Sequence, residues 1–66
     1  MFQFRKRNVA VMAAKVLAVR EVRPILVMAC AARDVYSIGL QTNPAVLAAG
    51  THVATVYGSG RVTKQH

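Results

Sequence analysis

Residues 24–44 have the sequence PILVMACAARDVYSIGLQTNP, and this stretch decides how the whole chain is interpreted. It is apolar for most of its length, a proline stands at each end, and one adjacent charge pair, Arg33-Asp34, interrupts it. As an α-helix, residues 24–42 would extend roughly 28 Å, close to the hydrocarbon thickness of a bilayer. The length of the stretch therefore predicts a membrane span. Its two charges indicate that the span would not be surrounded by lipid alone.

The two ends of this stretch carry signals that fit a helix. Pro24 suits the first helical turn, where its missing N–H costs no hydrogen bond. Asn43 precedes Pro44 and is pushed away from helical conformation, which predicts a stop at this point. We therefore predict a transmembrane helix over residues 24–43, rich in small residues that let neighbouring helices approach closely.

The composition restricts the class of protein. The chain has 66 residues, of which 55% are hydrophobic, and a formal net charge of +7. A globular core of this size is marginal without a disulfide, a metal or a partner. Cys30 is the only cysteine and there are two histidines, so we expect no disulfide, no metal, no cofactor and no catalytic residue. The composition fits an apolar part buried in lipid or a large assembly, with basic ends that contact anionic lipid or nucleic acid.

Residues 1–23 form a basic N-terminal segment, and within it residues 2–22 are predicted to be a weakly amphipathic helix capped by Asn8. Its apolar residues at helical spacing are Val9, Met12, Val16 and Val19. The segment is rich in arginine and poor in acid, which is also typical of a mitochondrial presequence. The alternative is a surface helix that lies against a partner.

Residues 44–66 are predicted to be an extramembrane tail. Residues 45–57 begin with a helix-like pattern and end with a strand-like one, and Gly50 is expected to break them. This run is too short to span a membrane. The predicted fold is therefore mainly α: a single transmembrane helix, preceded by a basic amphipathic N-terminal helix and followed by an irregular C-terminal tail that includes His66.

The candidate contact residues follow from the charges in the predicted span. On a helix, Cys30, Arg33, Ser37 and Gln41 would form one polar stripe, with Asp34 to one side. A charge that faces lipid at mid-depth costs at least about 2.5–3.5 kcal/mol. We therefore expect contacts to larger subunits, a lipid head group or water. The residues predicted to make them are Arg33, Asp34, Ser37, Gln41, Arg20 and Arg23. We favour polar contacts between subunits over a proton path or an ion site, because one charge pair without further titratable groups cannot relay protons.

Two short motifs resemble those of the small MLRQ-type accessory subunits of the mitochondrial respiratory chain. Arg23-Pro24-Ile25-Leu26 resembles the entry to that family's membrane helix, and Thr42-Asn43-Pro44-Ala45-Val46 resembles the turn at its end, with Ala45 in place of an acid. The resemblance covers about a third of the chain. It implies a scaffold subunit associated with cytochrome c oxidase or complex I, with no redox centre of its own.

The leading hypothesis is a non-catalytic single-pass accessory subunit of a large complex of the mitochondrial inner membrane, with a respiratory complex, cytochrome c oxidase or complex I, as the expected one. It would act by packing against larger membrane subunits, with anionic lipid at its basic flank. The first alternative is a small basic RNA-associated peptide of a ribosome or another ribonucleoprotein. The second is a β-containing subunit of a soluble or viral assembly, in which HVATVYG is an edge strand. No small-molecule substrate is expected.

Overall fold

The computed structural model describes residues 2–64, and these fold into a five-stranded antiparallel sheet with two helices. The elements are β1 (Phe2–Phe4), α1 (Arg7–Glu21), β2 (Ile25–Cys30), β3 (Val35–Leu40), α2 (Pro44–Leu47), β4 (Thr51–Val56) and β5 (Val62–Lys64). The strands lie side by side in the order β1-β3-β2-β4-β5. The prediction of a mainly α, single-span protein is therefore wrong. No helix among the described residues is long and apolar enough to cross a membrane.

The segment predicted to be one membrane helix is a β-hairpin. β2 and β3 pair in antiparallel register from Ile25 opposite Leu40 to Cys30 opposite Val35. Four of the six β2 residues, Ile25–Met28, are buried, because helices cover both faces of the sheet here. A strand buried on both faces is a continuous apolar run without alternation, and periodicity alone does not distinguish it from a buried helix.

The charge pair that interrupted the predicted span lies in the turn of this hairpin. The Arg33 N–H donates to the Cys30 carbonyl at 3.3 Å, and the Asp34 N–H donates to the Ala31 carbonyl at 3.4 Å. Asp34 has a φ of 52°, in the left-handed region that aspartate tolerates better than most residues. Both side chains are exposed at the turn. The charges therefore mark a solvent-facing reversal of the chain.

Asn43 and Pro44 begin a helix, whereas the sequence pattern predicted that they end one. The Asn43 side chain accepts a hydrogen bond from the Ala45 N–H at 3.0 Å, and Pro44 is the first residue of α2. Asparagine is a preferred N-cap and proline a preferred first helical residue, so the dipeptide serves either purpose. The predicted irregular tail is likewise replaced by α2, β4 and β5. His66 lies outside the described residues.

The N-terminal helix is present but shorter than predicted. Residues 2–4 form the edge strand β1, and α1 runs over Arg7–Glu21 with Lys6, not Asn8, at its N-cap. Three alanines one turn apart, Ala10, Ala14 and Ala18, are fully buried against the sheet. Their lack of a bulky side chain lets the helix backbone lie close to the strands. Facing them are Ile25, Val27, Ile38, Ala54 and Val56.

The two helices are crossovers on opposite faces of the sheet. α1 connects β1 to the parallel β2 across the intervening β3, and α2 connects β3 to the parallel β4 across β2. On the second face, Leu26 and Met28 pack with Val46 of α2. A shift in the register of β2 and β4 after Val27 leaves an extra residue in β4. This bulge allows the His52 Nε2 to hydrogen-bond the Thr55 Oγ1 at 2.8 Å.

Candidate protein-interaction surface

The outer side of α1 carries a row of exposed apolar side chains. We call this row the outer stripe; its members and exposed fractions are Val9 (41%), Met12 (64%), Val16 (70%) and Val19 (64%). These are the residues whose spacing predicted the helix. From the sequence alone, this row is expected to pack against the rest of the protein. In the structure it faces outward.

The outer stripe lies opposite the buried alanines. At about 100° of rotation per residue, the direction of the Ala10-Ala14-Ala18 row is roughly 180° from that of the outer stripe. The helix is thus apolar on two opposite sides. Helices of this composition are normally covered on both sides, since a surface helix carries polar residues on its outward face. The outer stripe is therefore the strongest candidate for a contact with another molecule.

Its spacing is that of a coiled-coil seam. Residues 9, 12, 16 and 19 are separated by three, four and three positions, the repeat of the first and fourth places of a heptad. The positions that border such a seam include Lys15 on one side and Arg20 on the other, and both are exposed. Among the described residues, no acid borders it, because Glu21 lies on the side of the helix near β3 and Asp34 lies in the β2–β3 turn. The stripe is an apolar seam with basic margins.

An apolar groove adjoins the stripe where α1 passes beside β1. Its volume is about 330 Å³. Its lining includes Phe2, Phe4, Leu17 and Ile38, together with Val16 and Arg20 at the edge of the outer stripe. Phe2 is 58% exposed. The apolar surface therefore continues from the helix onto the edge of the sheet.

The predicted contact residues are distributed over the molecule and do not form one site. Arg33 and Asp34 are exposed at the turn of the β2–β3 hairpin, whereas Arg23 and Gln41 line one shallow depression at the other end of that hairpin. Ser37 is 1% exposed in β3, opposite Met28. The polar stripe expected along a helix does not exist, since residues 30–41 are not helical. Of the six residues, Arg20 alone borders the outer stripe.

Within residues 2–64, no three histidine, cysteine or acidic side chains come together in a way that holds a metal ion. Cys30 is a partly buried free thiol at the end of β2. The Arg61 guanidinium lies 4.8 Å from the centre of the Tyr57 ring, a stacking contact within the β4–β5 turn.

Comparison with known proteins found no similarity: no family model matches the chain, and no curated protein or solved structure matches it significantly. The resemblance to MLRQ-type subunits stays a prediction. The residues on which it was based lie at the start of β2 and around the start of α2, on two separate elements.

A sequence signal for the orientation of α1 lies in the spacing of its alanines. Alanine recurs at residues 10, 14 and 18 with a spacing of four, which is one face of a helix. Small residues in such a row fit a helix that packs closely on a sheet. The larger Val and Met side chains then point away from the sheet, where they are available to a second molecule.

Proposed function

We propose that the protein is a non-catalytic binding subunit of a larger protein assembly, and that the outer face of α1 is where its neighbour packs. The supporting observation is the outer stripe, whose large apolar side chains are exposed although a complete apolar face already holds the helix to the sheet. This keeps the predicted mode of action, packing against larger subunits, without a membrane span.

The size of the chain is consistent with this role. A chain of 66 residues has a small core, and a partner that covers the outer stripe adds buried apolar area at roughly 25 cal/mol per Å². Exposed contiguous apolar surface with a charged border is typical of protein interaction sites. The exposed apolar side chains and their charged border support binding, and we propose no reaction for this surface.

The proposal is tested by purifying the tagged chain, with whatever binds it, from the cells that make it. The variant Val16→Asp places a charge in the centre of the outer stripe. The matched control is Leu47→Asp, because Leu47 is 55% exposed on α2, at the opposite face of the sheet. We expect larger chains to co-purify in fixed stoichiometry with the wild type and the control, and to be lost with Val16→Asp. Equal recovery with all three proteins would overturn the proposal.

An RNA-associated role is the second candidate, and one observation favours it. Arg5, Lys6 and Arg7 are all exposed where β1 leads into α1, and the first turn of α1 contains no acidic residue. Consecutive cations at this point suit phosphate groups. If this candidate is correct, the native complex contains RNA, dissociates as salt is raised, and is weakened by Lys6→Glu more than by Val16→Asp.

A further inference from the structure

We infer that the partner element that packs on the outer stripe is an α-helix with an apolar seam bordered by acidic residues. This inference rests on the proposed function, because it names the kind of surface that the proposed neighbour presents. It follows from three properties of the stripe, namely its spacing, its straight course along one helix and the sign of the charges beside it.

The spacing selects a helix as the occupant. Val9, Met12, Val16 and Val19 repeat as three, four and three, so their side chains form a nearly straight row on α1. A second helix that crosses α1 at a shallow angle places its own apolar residues between them, as knobs into holes. An added β-strand would use the edge of the sheet, whereas the stripe lies on the far side of α1 from the sheet.

The charges select an acidic occupant. In helix pairs, the residues that border the seam set the choice of partner through their charges. Here these positions include Lys15 and Arg20. Glutamate or aspartate at the facing positions of a partner would meet both cations, and like charges would repel them.

The same charges disfavour a second copy of this chain. Each copy has a formal net charge of +7, and a helix pair built from two outer stripes would bring Lys15 and Arg20 of both copies to one seam. Within residues 2–64, no acid borders the stripe to offset this repulsion. A heterologous, acidic helix therefore fits the surface better than self-association.

The test uses the full chain and two synthetic helical peptides of three heptads. Both peptides carry leucine at the first and fourth heptad positions, with alanine and glutamine on the outer side. One has glutamate at the positions that border the seam, and the other has lysine there. Binding is measured by fluorescence anisotropy at about 50 mM and about 500 mM salt, since screening weakens exposed ion pairs.

We expect the acidic peptide to bind at least about tenfold more tightly than the basic peptide at low salt, and this preference to shrink at high salt. Val16→Ser should weaken binding of the acidic peptide by about tenfold or more, while its matched control Leu47→Ser should not change it. The double variant Lys15→Glu and Arg20→Glu should reverse the preference between the peptides. The control Arg33→Glu, which changes a charge in the distant β2–β3 turn, should leave the preference unchanged.

Three outcomes would overturn the inference. They are equal binding of the two peptides, sedimentation of the wild type as a dimer that Val16→Ser dissociates, and binding to phosphatidylglycerol vesicles through the stripe without binding to the acidic peptide. Each of these contradicts the acidic helix, and none of them by itself contradicts the proposed function. The proposed function fails separately, if Val16→Asp leaves the native complex intact.

Discussion

The side chain of Val46 occupies the space that a side chain on Gly39 would need. A Cβ added to Gly39 would overlap the Val46 Cγ2. The side chain of Val46 therefore packs directly against the backbone of β3 at Gly39. Val46 is fully buried and is the buried residue of this four-residue helix. The contact fixes the crossover from β3 to β4 on the second face of the sheet.

Gly39→Ala should lower the free energy of unfolding by about 1–3 kcal/mol, because the added methyl group overpacks the contact with Val46. A decrease in the free energy of unfolding would point to the contact with Val46, since replacing a strand glycine by alanine is otherwise favourable by roughly 0.5–1 kcal/mol. Urea denaturation measures the effect. In the double variant with Val46→Ala, the loss should be smaller than the sum of the two single losses; strict additivity would contradict the contact.

Val22→Gly should raise the free energy of unfolding by about 1 kcal/mol. Val22 ends α1 with a φ of 55°, in the left-handed region where a β-branched residue is strained and glycine is not. Its side chain is 84% exposed, so little packing is lost. Val19→Gly is the matched control within the same helix, and it should destabilise by a few tenths of a kcal/mol or more because its backbone is helical. Thermal denaturation compares the two variants, and a destabilised Val22→Gly would refute the assignment of strain.

Gly50→Ala should be among the most damaging single substitutions, costing about 3 kcal/mol or more. Gly50 has a φ of 153°, and an added Cβ would overlap the Ala29 carbonyl, which is backbone and cannot rotate away. Gly60→Ala is the control, because Gly60 also has a positive φ, 92°, but faces open space. It should cost only the backbone strain, about 1–2 kcal/mol. Equal unfolding midpoints for the two variants in urea would contradict the close approach of Gly50 to β2.

Substitutions on the two sides of α1 should differ in how much they change the free energy of unfolding. Val16→Ser should change the free energy of unfolding by no more than about 0.5 kcal/mol, because Val16 is exposed. Ala14→Val should destabilise by about 1–3 kcal/mol, because Ala14 is fully buried and the added methyl groups push the helix from the sheet. Circular dichroism during denaturation measures both. A large loss with Val16→Ser and none with Ala14→Val would mean that the outer stripe is the packed side.

Several local features could be recognised from the sequence. The helical spacing of the apolar residues between positions 9 and 19 predicted a helix, and the structure confirms one over Arg7–Glu21. The change from a helix-like to a strand-like pattern after Gly50 corresponds to α2 and β4. β4 is not an edge strand, because β5 pairs with it on its outer side. The helix and the change of pattern at Gly50 could be predicted because they depend on spacing and on a glycine within a few neighbouring residues, whereas the position of β4 in the sheet depends on pairing with a distant strand.

The side of α1 that faces the sheet could not be predicted from the positions of its larger apolar residues. Two rows on this helix are apolar, and the larger side chains of the outer stripe suggest a core-facing row more strongly than the alanines do. The alanine row packs inward against the sheet, because its small side chains let the helix backbone lie close to the strands. The candidate surface therefore became visible only after the sheet was known.

What the local sequence determines here is where the chain turns and where a helix is possible. Asp34, Asn43-Pro44 and Gly50 mark such points, since each acts through its own backbone or that of its nearest neighbours. Whether Ile25–Cys30 and Val35–Leu40 are one helix or two paired strands depended on what covers them. Helices on both faces bury Ile25–Met28 and Ser37–Gly39, which removes the alternation that normally identifies a strand. The same tertiary arrangement buries the alanines of α1 and leaves Val16 and its neighbours exposed for a partner.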